Sequence, residues 1–561
     1  DGKIESFKYD AKNPHSLSSN FVRACCEDNL GNIWIGTFNG LNRYNKSTGL
    51  FQNHTANDIQ SDGLTHSSIW CIVKDNQGTL WLGTYFGGVN YFNPEYEIYT
   101  RYSYSSNEKQ GLSNPVVGRT IEDKNGNLWI GTEGGGLNYF NRRTREFKWY
   151  RPQEGRNSIS HNNVKALYYD ADKEIIWIGT HLGGMNRLDI RSGHFTHYRM
   201  EDNNRQTLPS DIVRDIIPYK DLLIVATQNG VCLFEPDSGK CRQLFKDSKE
   251  GKSIKMVADI LLDSEGTLWI AATGEGVFSY RFDTRKLTNY RHDSANPNSL
   301  SNNNVNNIMQ DSQGHLWFST SGSGLDLYHP ANNDFENFDK EKNGLASDCV
   351  YETQESAASG KLLLITNQGF SIFDYQNMHI KNYSAENGFP LTAVNENSLC
   401  ITRDGEIFLG GVQGMISFHE MELNFTPKPY NIILSRLIVN GQEIHAGDKT
   451  GILQHSLCHT REITLNADQS MFSIEFATSN YIPANKDDII YKLEGFSDEW
   501  TNTRGLHSIT YTNLNAGTYT LLIKPEEKDE SLCPQARLII HILPPYYRTT
   551  FAYFIYLILT T

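Results

Sequence analysis

The 561-residue chain holds 51 Lys and Arg against 65 Asp and Glu, a formal charge of −14 spread without a basic block. That length allows two or three structural units, and the charge excludes the basic footprint of a nucleic-acid partner. The 29 Tyr and 27 Phe suit pleated, half-buried strands, so the composition reads as all-β.

The chain opens Asp1-Gly2-Lys3-Ile4, without the basic and apolar segments of a secretory leader, so the start reads as processed or cut. Ile4 to Tyr9 (IESFKY) has the pattern of a fourth strand whose own blade is missing. The competing reading has it close the last blade of one unusually large ring. A motif D-x-x-G-x-L-W-I-G-T, then G-x-L-N-x-Y, recurs from there. Trp34, Trp81, Trp129 and Trp177 are separated by 47, 48 and 48 residues, and Trp269 and Trp317 again by 48. Such a period belongs to a propeller blade. In the second unit, four β segments at 69–73, 79–84, 88–92 and 98–102 make one blade. The turn Asp28-Asn29-Leu30-Gly31 has copies ending at Gly78, Gly126, Gly266 and Gly314, so the repeated Asp is structural rather than catalytic. The Gly-Thr after each Trp lets backbones crowd where blades converge.

Degenerate copies at 222–227, 361–366 and 406–411 bring the count to nine blades, against the 4 to 8 usual in one ring. This predicts a seven-bladed β-propeller over residues 105–423, preceded by the last blades of a truncated N-terminal propeller over 1–104. Cys232 and Cys241 flank a turn and are either bridged or two free buried thiols. After a linker at Asn424 to Pro429, residues 424–545 alternate as in an immunoglobulin-like β-sandwich. Tyr481, Tyr491, Trp500, Tyr511 and Tyr519 are expected as core anchors there. His455, Cys458 and His459 lack a fourth zinc ligand, and neither a metal nor a cofactor is expected. Residues 546–561 contain the apolar run Phe551 to Leu559, read as the start of a transmembrane helix, with a last core strand as the alternative.

The segment SLSSNFVRACCEDNLGNIWIGTFNGLNRYN (Ser16 to Asn45) resembles two-component regulator propeller repeats. FSIEFATSNYIPANKDDIIYKLEGFSDEWTNT, followed by ITYTNLNAGTYTLLIK, resembles the triple-tyrosine domain that follows those propellers, and PPYYRTTFAYFIYLIL resembles the entry to that family's membrane helix. The resemblance implies the periplasmic sensor region of a hybrid two-component histidine kinase, anchored in the bacterial inner membrane. It further implies an oligosaccharide or other glycan breakdown product as ligand, signalling through a homodimer, and control of polysaccharide-utilisation genes. Such sensors usually carry two seven-bladed propellers, and five blades of that pattern are missing here. No kinase domain is present.

Specificity is expected in the loop residues that vary after the Thr of each second strand. Tyr85, Phe86 and His181 offer ring faces for a sugar, and Glu133, Gln228 and Asn229 offer hydrogen bonds. The rival classes are a propeller-type lyase or hydrolase and a passive glycan-binding scaffold. An enzyme would need two facing carboxylates, and Glu133 is the one acid among the variable loop residues.

Overall fold

The computed structural model describes residues 4–560 apart from 14, 47–48, 57–62, 386–387, 424–426, 470, 483–487, 527–530 and 549. The first residues of the expected linker, 424–426, therefore lie outside the described residues. The chain divides into two compact units, Asp1–Glu97 with Phe425–Thr561, and Ile98–Asn424.

The second unit is a ring of seven four-stranded antiparallel blades. Their innermost strands are Val117–Glu122, Val164–Asp170, Val213–Tyr219, Val257–Leu262, Val305–Gln310, Val350–Glu355 and Val394–Ile401. Each packs beside the next, and the seventh returns to the first. The outermost strand of the seventh blade is Thr100–Tyr102, paired with Met415–Ser417. Residues 98–102, expected to finish the second unit of the repeat, close the ring instead. The boundary expected between 104 and 105 accordingly moves to 97/98. The blade at Ile69–Lys74, Leu80–Thr84 and Val89–Phe92 is left three-stranded. Around the seam, Arg142 of the first blade contacts Glu406 of the seventh at 2.5 Å and Asp404 at 2.7 Å.

The repeat explains how blades interlock. A Cβ on Gly179 would stand 2.6 Å from Val213 Cγ1, and one on Gly131 would stand 2.8 Å from Val164 Cγ1. The glycine of these two I-G-T segments therefore makes room for the valine that opens the next inner strand. The Thr that follows donates Oγ1 to the carbonyl closing its loop: Thr132 to Gly136 at 2.8 Å, Thr180 to Gly184 at 2.9 Å, Thr320 to Gly324 at 2.8 Å. The turn Asp accepts backbone N–H groups two and four residues ahead, and its second oxygen takes the indole N–H of the repeat Trp. Asp263 does this with Trp269 at 2.8 Å, and Asp28, Asp75 and Asp311 do the same with Trp34, Trp81 and Trp317. In the first blade Asp123 keeps the backbone bonds, while Trp129 Nε1 is buried without a partner.

The first unit carries the four-stranded sheet Val22–Glu27, Ile33–Thr37, Gly40–Asn45 and Leu50–His54, then the three-stranded blade, then a sandwich. Ile4 to Tyr9 forms no strand, contrary to expectation. Phe7 instead packs on Tyr44 and Phe51, with ring centroids 5.1 and 5.4 Å away. The sandwich packs a four-stranded sheet on a five-stranded one around Leu437, Ile474, Leu538 and Ile540. Tyr519 sits in that core and donates its hydroxyl to Asn515 O at 3.0 Å, four residues back, in the manner of a tyrosine corner. Tyr491 and Tyr511 pack at its edge. Trp500 and Tyr481 are not core residues: Trp500 lies under Lys492 and Lys524, and Tyr481 meets Trp81 edge-on at 4.8 Å. Cys232 and Cys241 are free and buried. The register sets Cys241 opposite Phe234 and Cys232 opposite Gln243.

Thr550–Thr560 is an eleven-residue helix, spanning about 16 Å against the ~30 Å of a bilayer core. No helix among the described residues is long and apolar enough to cross a membrane. The described residues hold no His, Cys, Asp or Glu cluster of metal-binding size.

Candidate functional site

Two surfaces, one in each unit, are built by the same local device. Every inner strand of the ring opens on a valine and then loses register, by one extra residue in the first six blades and by three in the seventh. The shift falls between Val164 and Ala166, Val213 and Asp215, Val305 and Asn307, and Val350 and Glu352. A bulge of this kind re-aims the extra side chain. Here it delivers Lys165, Arg214, Asn306 and Tyr351 to the axis of the ring, beside Glu133 and Ser321 from the loops after the second strands and Asn397 from the seventh blade. Together they line a cavity of about 270 Å³.

The electrostatics of this axial cavity are layered. At its mouth Lys165 bonds Glu133 at 2.5 Å, and Asn395 Nδ2 approaches the same carboxylate at 3.3 Å. Burial pulls the Glu133 carboxyl upward, but Lys165 outweighs it and holds the group below its ordinary range. At the floor Arg119 donates to Asp215 at 2.8 Å, with Glu352 4.0 Å away. Burial would lower the Arg119 pKa, and the surrounding carboxylates reverse that. Burial, then the Asp215 carboxylate, push Asp259 well above the carboxylate range, and burial also raises Glu352. Asp259 accepts from Asn307 Nδ2 at 3.0 Å and Ile308 N at 2.8 Å.

In the first unit the bulge residues are Arg23 and Trp70, between Val22 and Ala24 and between Ile69 and Cys71. The Arg23 guanidinium lies 4.4 Å from the Trp70 ring centroid and 5.3 Å from that of Phe38, and it donates to Ser68 Oγ at 2.9 Å. Trp70 stacks on Tyr85 at 5.6 Å and 16°, and Tyr85 meets Phe86 edge-on at 4.2 Å. These rings are open to solvent, with Trp70 50% exposed, Tyr85 51% and Phe86 80%. This run of aromatic planes around one cation is surface rather than core.

The residues singled out in the sequence thus separate. Tyr85 and Phe86 belong to the aromatic face of the first unit. Glu133 lines the axial cavity of the second, and His181 stands near it, its pKa lowered by burial and then by the charges of Arg214 and Lys165. Gln228 and Asn229 occupy a loop whose backbone ties to Ile212 and Met256, and neither lines the cavity. Lys165, Arg214, Tyr351, Arg23 and Trp70 escape sequence reading. Their signal is the position directly after the β-branched residue that opens each inner strand.

The segments 16–39, 63–86, 111–134 and 299–322 match the two component regulator propeller, and 485–543 match the Y_Y_Y domain. The chain carries regulator-propeller repeats followed by a Y_Y_Y domain. Each matched propeller repeat runs from the approach to an inner strand through the first loop residues after the second strand, so it spans both the bulge and the loop position. The chain is 25% identical over 223 residues to histidine kinase P4 of Formosa agariphila, a match covering 40% of the chain and 16% of that kinase. The matched part is thus a small share of the curated relative. The fold is similar to the extracellular domain assigned to the hybrid two component system BT3049 from B. thetaiotaomicron, with TM-score 0.71 and 24% identity, covering 93% of this chain and 73% of that one. The extracellular domain of BT4673 from the same organism gives TM-score 0.48 at 22% identity, covering 95% and 71%.

Proposed function

We propose that this chain is the extracytoplasmic ligand-sensing region of a membrane-anchored two-component sensor kinase, and that it reads an oligosaccharide on the aromatic face of its first unit. The observation that carries the reading is the exposed array Arg23, Trp70, Tyr85 and Phe86, which offers flat apolar rings with a charged donor between them. Sugar rings present C–H faces to aromatic planes and hydroxyls to donors at their rim, so the surface suits a glycan. The regulator-propeller and Y_Y_Y combination, and the likeness to a histidine kinase, support the sensor class.

A route for the signal lies within the first unit. The blade that carries Trp70 and Tyr85 also carries Trp81 and Tyr91, against which Tyr481 of the sandwich packs at 4.8 and 5.8 Å. Lys428 at the root of the sandwich pairs with Glu95 at 2.7 Å, and Gln77 Nε2 donates to Pro429 O at 3.0 Å. Ligand that favours one setting of this blade therefore biases the sandwich. A homodimer would pass that bias to paired membrane helices and so to genes of polysaccharide use.

The reading is tested by calorimetry of the chain against a panel of oligosaccharides. A fragment that binds should lose at least tenfold in affinity with Trp70→Ala or Tyr85→Ala, as for a buried aromatic anchor. Unchanged affinity in both variants would remove the aromatic face as the site. For the enzyme alternative the geometry offers little support: Glu133 is ion-paired and its pKa is lowered, the reverse of a general acid.

A further inference from the structure

We propose that the axial cavity of Ile98–Asn424 is a second binding site, for a hydroxylated monocarboxylate of the uronic-acid type. It is separate from the aromatic face and does not depend on that reading.

Charge balance points to a monoanion. Three cations reach the cavity, and two are already matched, Lys165 by Glu133 and Arg119 by Asp215. Arg214 is half-buried, and among the described residues no carboxylate lies within ion-pair distance of it. Glu133 is near enough to feel its charge but is held by Lys165, so the Arg214 guanidinium lacks a direct ion-pair partner in a fold that pairs its other cavity cations, and a planar carboxylate fits its donor fork in a bidentate manner. Glu396 lies exposed on the rim, and the carboxylates at the floor sit beyond Arg119, so a dianion would meet repulsion that a monoanion avoids.

The lining also supplies polar partners besides Arg214: Asn306, Ser321, Tyr351 and Asn397 surround the cavity, and side chains of this kind suit ligand hydroxyls. Size selects a small molecule. At ~30 Å³ per water, 270 Å³ holds about nine waters, room for one sugar ring rather than a chain. Carboxylate, hydroxyls and a single ring together describe a uronic acid, free or as the terminal residue of an acidic glycan.

The test is calorimetry of the whole chain with galacturonate and glucuronate, against galactose, glucose and inorganic sulfate, followed by the digalacturonate. A uronate should bind at one site at least tenfold more tightly than its neutral parent. Arg214→Gln should cost 10- to 100-fold, the scale of a charge-assisted bond, with Arg214→Lys intermediate. Thermal melts of both variants separate loss of the site from loss of the fold. Trp70→Ala should leave uronate affinity within twofold, whatever becomes of oligosaccharide binding at the aromatic face. Binding of digalacturonate as tight as the monomer assigns the site to a glycan terminus, and its exclusion assigns it to the free acid. Equal affinity for galactose, sulfate binding as tightly as uronate, or an Arg214→Gln variant that binds uronate unchanged would each overturn the proposal.

Discussion

Replacing Asp326 with Asn should stabilise the protein, and only above a definable pH. The repeat motif G-x-L-N places an asparagine on the third strand of several blades. Asn138 and Asn186 each accept from a serine N–H at 2.8 Å and donate Nδ2 to the same serine's hydroxyl. The fifth blade has Asp326 there, wholly buried, accepting from Ser301 N at 2.9 Å and Asn337 Nδ2 at 2.9 Å. Burial raises its pKa to about 6 from an ordinary 3.8, against the pull of those hydrogen bonds. The folded pKa lies above the unfolded one, so the group costs nothing below pH ~4. The cost grows between pH ~4 and ~6 and is constant above, at about 3 kcal/mol for the full shift. The neutral amide of the Asp326→Asn variant carries no such cost but accepts on one oxygen only, and giving up one of the bonds from Ser301 N and Asn337 Nδ2 offsets about 1 kcal/mol. At ~2.1 cal/mol/K per residue, a unit the size of Ile98–Asn424 should gain roughly 3 °C in Tm at pH 7.5. Differential scanning calorimetry of both proteins from pH 4 to 8 reads this directly. A Tm difference independent of pH, or an Asn variant less stable at pH 7.5, would refute the argument.

Other outcomes follow from the repeat and the seam. Asp263→Ala removes the acceptor of two backbone N–H groups and of Trp269 Nε1 and should cost about 2–3 kcal/mol in urea unfolding, whereas Asp123→Ala should cost about 1 kcal/mol less, since Trp129 has no such bond to lose. Gly179→Ala, with Val213 Cγ1 2.6 Å and Ala166 Cβ 2.8 Å from the new methyl, should destabilise by about 1–3 kcal/mol with no effect on ligand affinity in calorimetry. Arg142→Ala loses Glu406 and Asp404 across the junction of the first and seventh blades and should lower stability by about 1–3 kcal/mol in urea unfolding. Arg119→Met leaves Asp215 and Glu352 buried without their counter-ion and should cost about 3–5 kcal/mol.

The nine blades were legible because a 48-residue period with Asp, Gly, Trp and Thr at fixed places encodes local contacts: a turn, a capped loop, an interlocking glycine. The partner of Ile98–Tyr102 was not, since a fourth strand reads the same whether it pairs with its own blade or with Gly414–His419 more than 300 residues later. Alternation along a strand predicts which face a residue takes, and a bulge breaks that rule. Lys165 and Arg214 therefore read as surface residues when they face the axis. Glu133, Tyr85 and Phe86 could be singled out because loop variability is visible between copies. Trp500 failed as a core anchor because an aromatic under two lysines has the same spacing as one in the core.

The closure of the ring has a mechanical consequence. Chain enters the seventh blade at Thr100–Tyr102 and leaves the same blade after Gly414–His419, and three residue pairs join the two strands. Thr100 faces Ser417, so the two connections leave from the same end of the antiparallel pair, and tension applied across them would peel that short seam open rung by rung before it reached any other blade. The ring is thus a clasp whose catch sits where the rest of the chain takes hold, and the force needed to spring it is set by three rungs.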